Sequence, residues 1–77
     1  MDSDIRAVLN RIIWDERCNL SRLRVSYVDR GQPGDTSVAT GDDIVDVMQH
    51  FFKTADGMIP FHRIITIWYD GEVVFSR

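Results

Sequence analysis

Asp70-Gly71 interrupts two runs of strand-forming residues, 63–69 and 72–77, and an Asp-Gly pair in that setting is the strongest short-range signal for a two-residue β-hairpin turn. Such a turn sets a register. Tyr69 comes opposite Glu72, Trp68 opposite Val73, Ile67 opposite Val74, Thr66 opposite Phe75, Ile65 opposite Ser76 and Ile64 opposite Arg77. Strand alternation then collects Ile64, Thr66, Trp68, Val73, Phe75 and Arg77 on one face, and His62 joins them beside Arg77 if the strand extends back that far. Arg63 falls on the other face with Ile65 and Ile67, unless Pro60 bends the entry and brings both polar heads to one spot. The residues alone leave both geometries open.

The remaining elements follow from periodicity. Over 4–15, Ile5, Val8, Leu9, Ile12 and Ile13 keep the spacing of one helical face, and Ser3 stands where an N-cap belongs. Residues 23–28 set Leu23, Val25 and Tyr27 against Arg24 and Ser26, the period of a half-buried strand. Gly31-Gln32-Pro33-Gly34-Asp35 is punctuated as a loop. Thr40-Gly41-Asp42-Asp43 predicts the start of a second, short helix, with Thr40 as cap, Asp43 at the third position and Ile44, Val47, Met48 and Phe51 on one stripe. On that helix His50 lies on the polar face. Val45 and Val47 also alternate with Asp46, so a short strand competes there. Thr54-Ala55-Asp56-Gly57 reads as a turn. The expected architecture is α+β, a small antiparallel sheet with the C-terminal hairpin at its heart and the N-terminal helix packed across one face.

A chain of 77 residues is a single domain, 1–77, with a core too limited to enclose an elaborate catalytic site. The single cysteine, Cys18, forms no internal disulfide, and neither a secretory leader nor a long apolar run is present. A cytoplasmic protein, monomeric or a small oligomer and not membrane-bound, is expected. A formal net charge of −3 argues against broad electrostatic coating of nucleic acid, so any RNA would be gripped locally.

Candidate chemistry centres on Ile59-Pro60-Phe61-His62-Arg63-Ile64, where an imidazole and a guanidinium stand side by side at the mouth of an apolar strand. A planar guanidinium fork and an imidazole donor suit a phosphate, and the grip needs no catalysis. The alternative is structural, His62 capping a sheet edge and Arg63 pairing with an aspartate. Arg30 leaves a strand end from which it could complete the grip, or it is a loop charge offset by Asp29 or Asp35. Arg11 lies off the helix's apolar stripe, which makes an exposed pair with Asp15 the default. Trp14 is expected to fold back on the core; displayed, it could stack a base, and so could Trp68. Histidines and the cysteine lack zinc-site spacing, Gly31-Gln32-Pro33-Gly34 lacks the lysine and helix of a nucleotide loop, and no metal or cofactor is expected.

Leu9-Asn10-Arg11, Trp14-Asp15, Arg30-Gly31 with Pro33-Gly34, the Ile59–Ile64 stretch and the terminal Arg77 together resemble the small RNA cyclic group end recognition domain family, over nearly the full length. The resemblance implies a non-catalytic module that reads a phosphorylated, 2′,3′-cyclic RNA end through His62, Arg63 and Arg30, with Arg11 and Arg77 as secondary contacts. Relatives of this domain occur alone and fused to RNA-processing domains. A protein-interaction domain in an RNA-processing assembly is the main rival, and a small phosphoesterase ranks last, since one imidazole without a partner is thin machinery.

Overall fold

The computed structural model describes residues 2–77. One helix, α1 (Asp2–Trp14), is followed by strands β1 (Leu23–Val28), β2 (Thr36–Thr40), β3 (Ile44–Val47), β4 (Phe51–Thr54), β5 (Gly57–Pro60), β6 (Ile64–Tyr69) and β7 (Glu72–Ser76). Single 3-10 turns at Leu20–Arg22, Pro33–Asp35, Gly41–Asp43 and Phe61–Arg63 connect them. The architecture is α+β, with a four-stranded antiparallel sheet in the order β2-β1-β6-β7 and a three-stranded one in the order β3-β4-β5.

The helix spans the stripe that the sequence marks, but it begins at Asp2, so Ser3 lies inside the first turn and does not cap it. Ile5, Leu9 and Ile12 are buried from α1 against Leu23 and Val25 of β1, Ala39 of β2, Phe52 of β4, Ile59 of β5, Ile64 and Ile67 of β6, and Phe61. Both sheets and the helix thus share one core. Each large apolar side chain so buried contributes about 1.5–3 kcal/mol relative to exposure.

Among the described residues no second α-helix forms. The Thr40–Asp43 capping box is present, Thr40 N–H donating to Asp43 Oδ2 at 3.2 Å, yet it opens only the 3-10 turn Gly41–Asp43 before the chain runs into β3. The strand competitor prevails because Ile44–Val47 finds a partner in β4, which in turn pairs with β5 across the predicted 54–57 turn. Asp46 therefore lies on a strand, and His50 in the turn between β3 and β4.

The C-terminal hairpin has its two-residue turn, with Asp70 and Gly71 both at positive φ (53° and 82°), as a primed turn requires. Tyr69↔Glu72 and Trp68↔Val73 pair as expected, but Ile67 then faces Phe75, not Val74. Val74 is a bulge residue. The extra residue turns Phe75 away from the Trp68 face and onto the Ile67 side, where it packs against the core, and it moves Arg77 from Ile64 to Ile65, whose carbonyl accepts from Arg77 N–H at 3.1 Å.

Gly41 is buried where its turn abuts the Leu20–Arg22 turn, and a Cβ there would lie 2.1 Å from the Leu20 carbonyl oxygen and 3.0 Å from Leu23 Cβ. Backbone cannot yield as a flexible side chain does. Gly41→Ala should therefore lower stability by about 2 kcal/mol or more, read as a drop in the urea midpoint at unchanged slope; an unaltered midpoint would show that the two turns separate freely.

Candidate functional site

Antiparallel order brings the C-terminal ends of β1 and β7 and the N-terminal ends of β2 and β6 to one edge of the larger sheet. Arg30, His62, Arg63 and Arg77 all belong to that edge: Arg30 in the loop after β1, His62 and Arg63 in the turn before β6, and Arg77 just past β7. Arg11 does not join them. It is exposed on α1, and the Asp15 carboxyl is held below the usual carboxylate range first by hydrogen bonds from Arg17, then by the charge of Arg17 and last by that of Arg11. The ion pair at that position is Asp15–Arg17, 3.2 Å, and not the expected Asp15–Arg11.

Pro60 decides the geometry that the residues alone left open. It enters at φ −64°, and the next three residues make a 3-10 turn instead of extending the strand, so His62 does not line up along β6 beside Arg77. With three residues per turn, Phe61, His62 and Arg63 diverge. Phe61 goes inward and is fully buried, while His62 and Arg63 are both exposed. The turn is held from two sides. Phe61 N–H donates to the His50 carbonyl at 2.9 Å, and the Arg77 guanidinium donates to the carbonyls of Phe61, at 2.9 Å, and of Ile64. Arg77 is thus the brace of the turn that displays His62 and Arg63.

Arg63 borders a cleft of about 220 Å³ between the sheet edge and the β4–β5 hairpin, lined also by Tyr27, Val28, Asp29, Asp56 and Ile59. His62 and Arg30 lie outside it. Asp29 is occupied by Ser37, whose hydroxyl donates to Oδ2 at 2.7 Å, and Asp29 N–H closes the Arg30 loop on the Asp35 carbonyl at 2.8 Å. Burial, and next the Asp29 carboxylate, push the Tyr27 phenol above its ordinary pKa, while a hydrogen bond with Ser37 pulls the other way. It therefore remains a neutral hydroxyl in the cleft at physiological pH. Among the described residues, none within reach forms an ion pair or a side-chain hydrogen bond with Arg30, His62 or Arg63. The aspartate pairings open to them in the sequence are not made.

Two expectations about aromatics resolve differently. Trp14 does not fold back on the core: it is 80% exposed, because α1 ends on it, opposite the Ile5–Leu9–Ile12 stripe. Trp68 is half-buried on the outer sheet face, while Tyr69 turns the other way and its hydroxyl accepts from Asn19 N–H at 2.8 Å. A second cleft, of about 250 Å³, joins Arg6, Asn10 and His50. Sequence reading passed over Arg6, and only the turn before β4 carries His50 to α1.

Residues 3–77 match the family model described as the MJ1316 RNA cyclic group end recognition domain. The chain belongs to this family. It is 36% identical over 70 residues to a UPF0248 protein of Archaeoglobus fulgidus, covering 90% of this chain and 99% of the relative. It is 35% identical over 78 residues to a UPF0248 protein of Pyrobaculum islandicum, covering 95% and 88%, and 32% identical over 78 residues to one of Pyrobaculum calidifontis, covering 95% and 96%. No solved structure matches the chain.

If Arg77 braces the turn, Arg77→Ala should cost about 1.5–3 kcal/mol of stability, the range for hydrogen bonds to a charged donor. Exchange at the Phe61 amide should quicken more than at the amides of β1. Equal protection at Phe61 in variant and parent would remove the brace.

Proposed function

We propose that the domain is a non-catalytic RNA-binding module that grips a phosphorylated RNA end, the 2′,3′-cyclic phosphate, at the sheet edge through Arg63, His62 and Arg30. One observation carries the reading: three donor-bearing side chains with no protein partner among the described residues stand at one edge of one sheet. Unspent guanidinium donors on a fixed turn form charge-assisted bonds to an anion without first breaking an internal ion pair. The family's description, RNA cyclic group end recognition, is the ligand that this chemistry fits. Arg77 acts through the turn it braces, and Arg11 contributes general positive charge at a distance from the grip.

The two histidines are not brought together as an acid and base pair. His50 lines the Arg6–Asn10 cleft and His62 does not, so the two imidazoles do not face one pocket. This favours binding over phosphoester cleavage. Release of an opened phosphate by the purified protein, abolished in His62→Ala, would reverse that preference.

The protein-interaction rival draws on a different feature, the groove of about 250 Å³ where Trp14 and Val45, 80% and 70% exposed, meet Ile13, Leu20 and Val47. The deciding measurement is binding of one short RNA ended in 2′,3′-cyclic phosphate, 3′-phosphate or 3′-hydroxyl. The cyclic end should bind tightest, with Arg63→Ala weakening it about tenfold or more and His62→Ala less. The two phosphate-directed guanidinium groups predict a slope of log Kd on log salt of about 1.4. Equal affinity for the three ends would sink end recognition and place the Trp14 groove first.

A further inference from the structure

The open face of the larger sheet has no part in the end grip. Along β1, Leu23 and Val25 enter the core, so Arg24, Ser26 and Val28 point the other way. The register extends this face into two rows across the sheet, Thr40–Arg24–Trp68–Val73 and Val38–Ser26–Thr66–Ser76. Val38 and Val73 are 56% and 58% exposed, so no described element covers it.

Trp68 stands in the middle of the first row, beside a groove of about 330 Å³ shared with Ser21, Arg22, Arg24, Asp70 and Gly71. Arg22 is engaged by Asp70 at 3.5 Å, whereas Arg24 has no ion pair among the described residues. Arg24 is also the sole charge in the two rows, and Asp70, the carboxylate in the same groove, is engaged by Arg22.

We propose that this face is a stacking platform for the single RNA strand that leads to the gripped end, with a base on the Trp68 indole and its phosphate on Arg24. A nucleotide matches both halves of the row, a flat π surface for the indole and an anion for the guanidinium. A purely apolar peptide laid on the same face would bury the Arg24 charge without a counter-ion. Ser26 and Thr66, in the neighbouring row, supply hydroxyls toward the strand's polar edges. The same face runs on to Val28, which borders the Arg63 cleft, roughly 13 Å along β1 from Arg24. The platform rests on the reading that RNA is the ligand, and extends it from the end to the body of the strand.

The test uses the full chain with Trp14→Phe, which leaves Trp68 as the single indole of the two. Octa-uridine ended in 3′-hydroxyl or in 2′,3′-cyclic phosphate should quench its emission, and a dinucleotide carrying the cyclic end should quench far less. In anisotropy titrations with labelled octamers, Trp68→Leu and Arg24→Gln should each weaken both about tenfold while preserving the ratio between the two ends. Arg63→Ala should do the reverse, collapsing the ratio and sparing the hydroxyl-ended octamer. End-selective binding with unchanged Trp68 emission, and unchanged affinity in Arg24→Gln, overturns the platform and leaves the end grip standing. Quenching without end preference does the opposite, and failure of both octamers to bind overturns both. Arg24 is exposed, so Arg24→Gln keeps the test decisive if Trp68→Leu does not fold.

Discussion

The burial of Phe61 is the constraint on which the rest of the candidate edge depends. Its ring has no solvent exposure and shares the core with Phe52, Ile64 and the α1 stripe. Returning a Phe side chain to water costs about 1.5–3 kcal/mol or more, so the residue cannot turn over with its neighbours. A 3-10 turn with one inward residue must send the next two outward. The display of His62 and Arg63 is therefore a consequence of core packing. The backbone of the same residue ties two distant parts of the chain together, through the His50 carbonyl before β4 and the Arg77 guanidinium after β7, and the turn it opens lies against α1.

An acidic protein can still present unspent cationic donors when its carboxylates take their hydrogen bonds from other groups. Asp15 is held by Arg17, Asp70 by Arg22, Asp43 by Thr40, and Asp29 by Ser37. The Asp46 carboxylate accepts from the Val47 N–H and that of Asp35 from the Gly31 N–H. Most of these bonds close turns and loops and are local in sequence. The net charge of −3 therefore does not decide whether donors at the edge are spent: Arg30, His62 and Arg63 keep theirs, although the Asp29 and Asp56 carboxylates line the Arg63 cleft.

What the sequence made legible is what local chemistry determines. Asp70-Gly71 specifies its turn and the first two pairs, and the spacing of Ile5, Leu9 and Ile12 specifies the helix. Thr40 and Asp43 do form their reciprocal cap, but a cap satisfies the first N–H groups of any helical turn and carries no information on how long the helix runs. Length is decided by the partner that β4 offers to Ile44–Val47, a non-local fact. The Val74 bulge is equally invisible, since alternation alone predicts the unbroken register. Its reason lies in packing, because without it Phe75 would stand on the open face and the core side would lose a ring.

The same bulge separates the two halves of the proposed RNA surface. In an unbroken register Phe75 and Arg77 would lie on the Trp68 face, crowding the platform with a second ring and a second charge. Moving both to the core side leaves Trp68 flanked by Arg24 and Val73, and frees Arg77 to reach the carbonyls of Phe61 and Ile64. A single extra residue in β7 thereby clears one face for a strand and secures, at its far edge, the turn that holds Arg63. In the proposed reading, stacking on the face and gripping at the edge draw on different side chains, so that affinity for the strand and selectivity for its end would be separable in one small sheet.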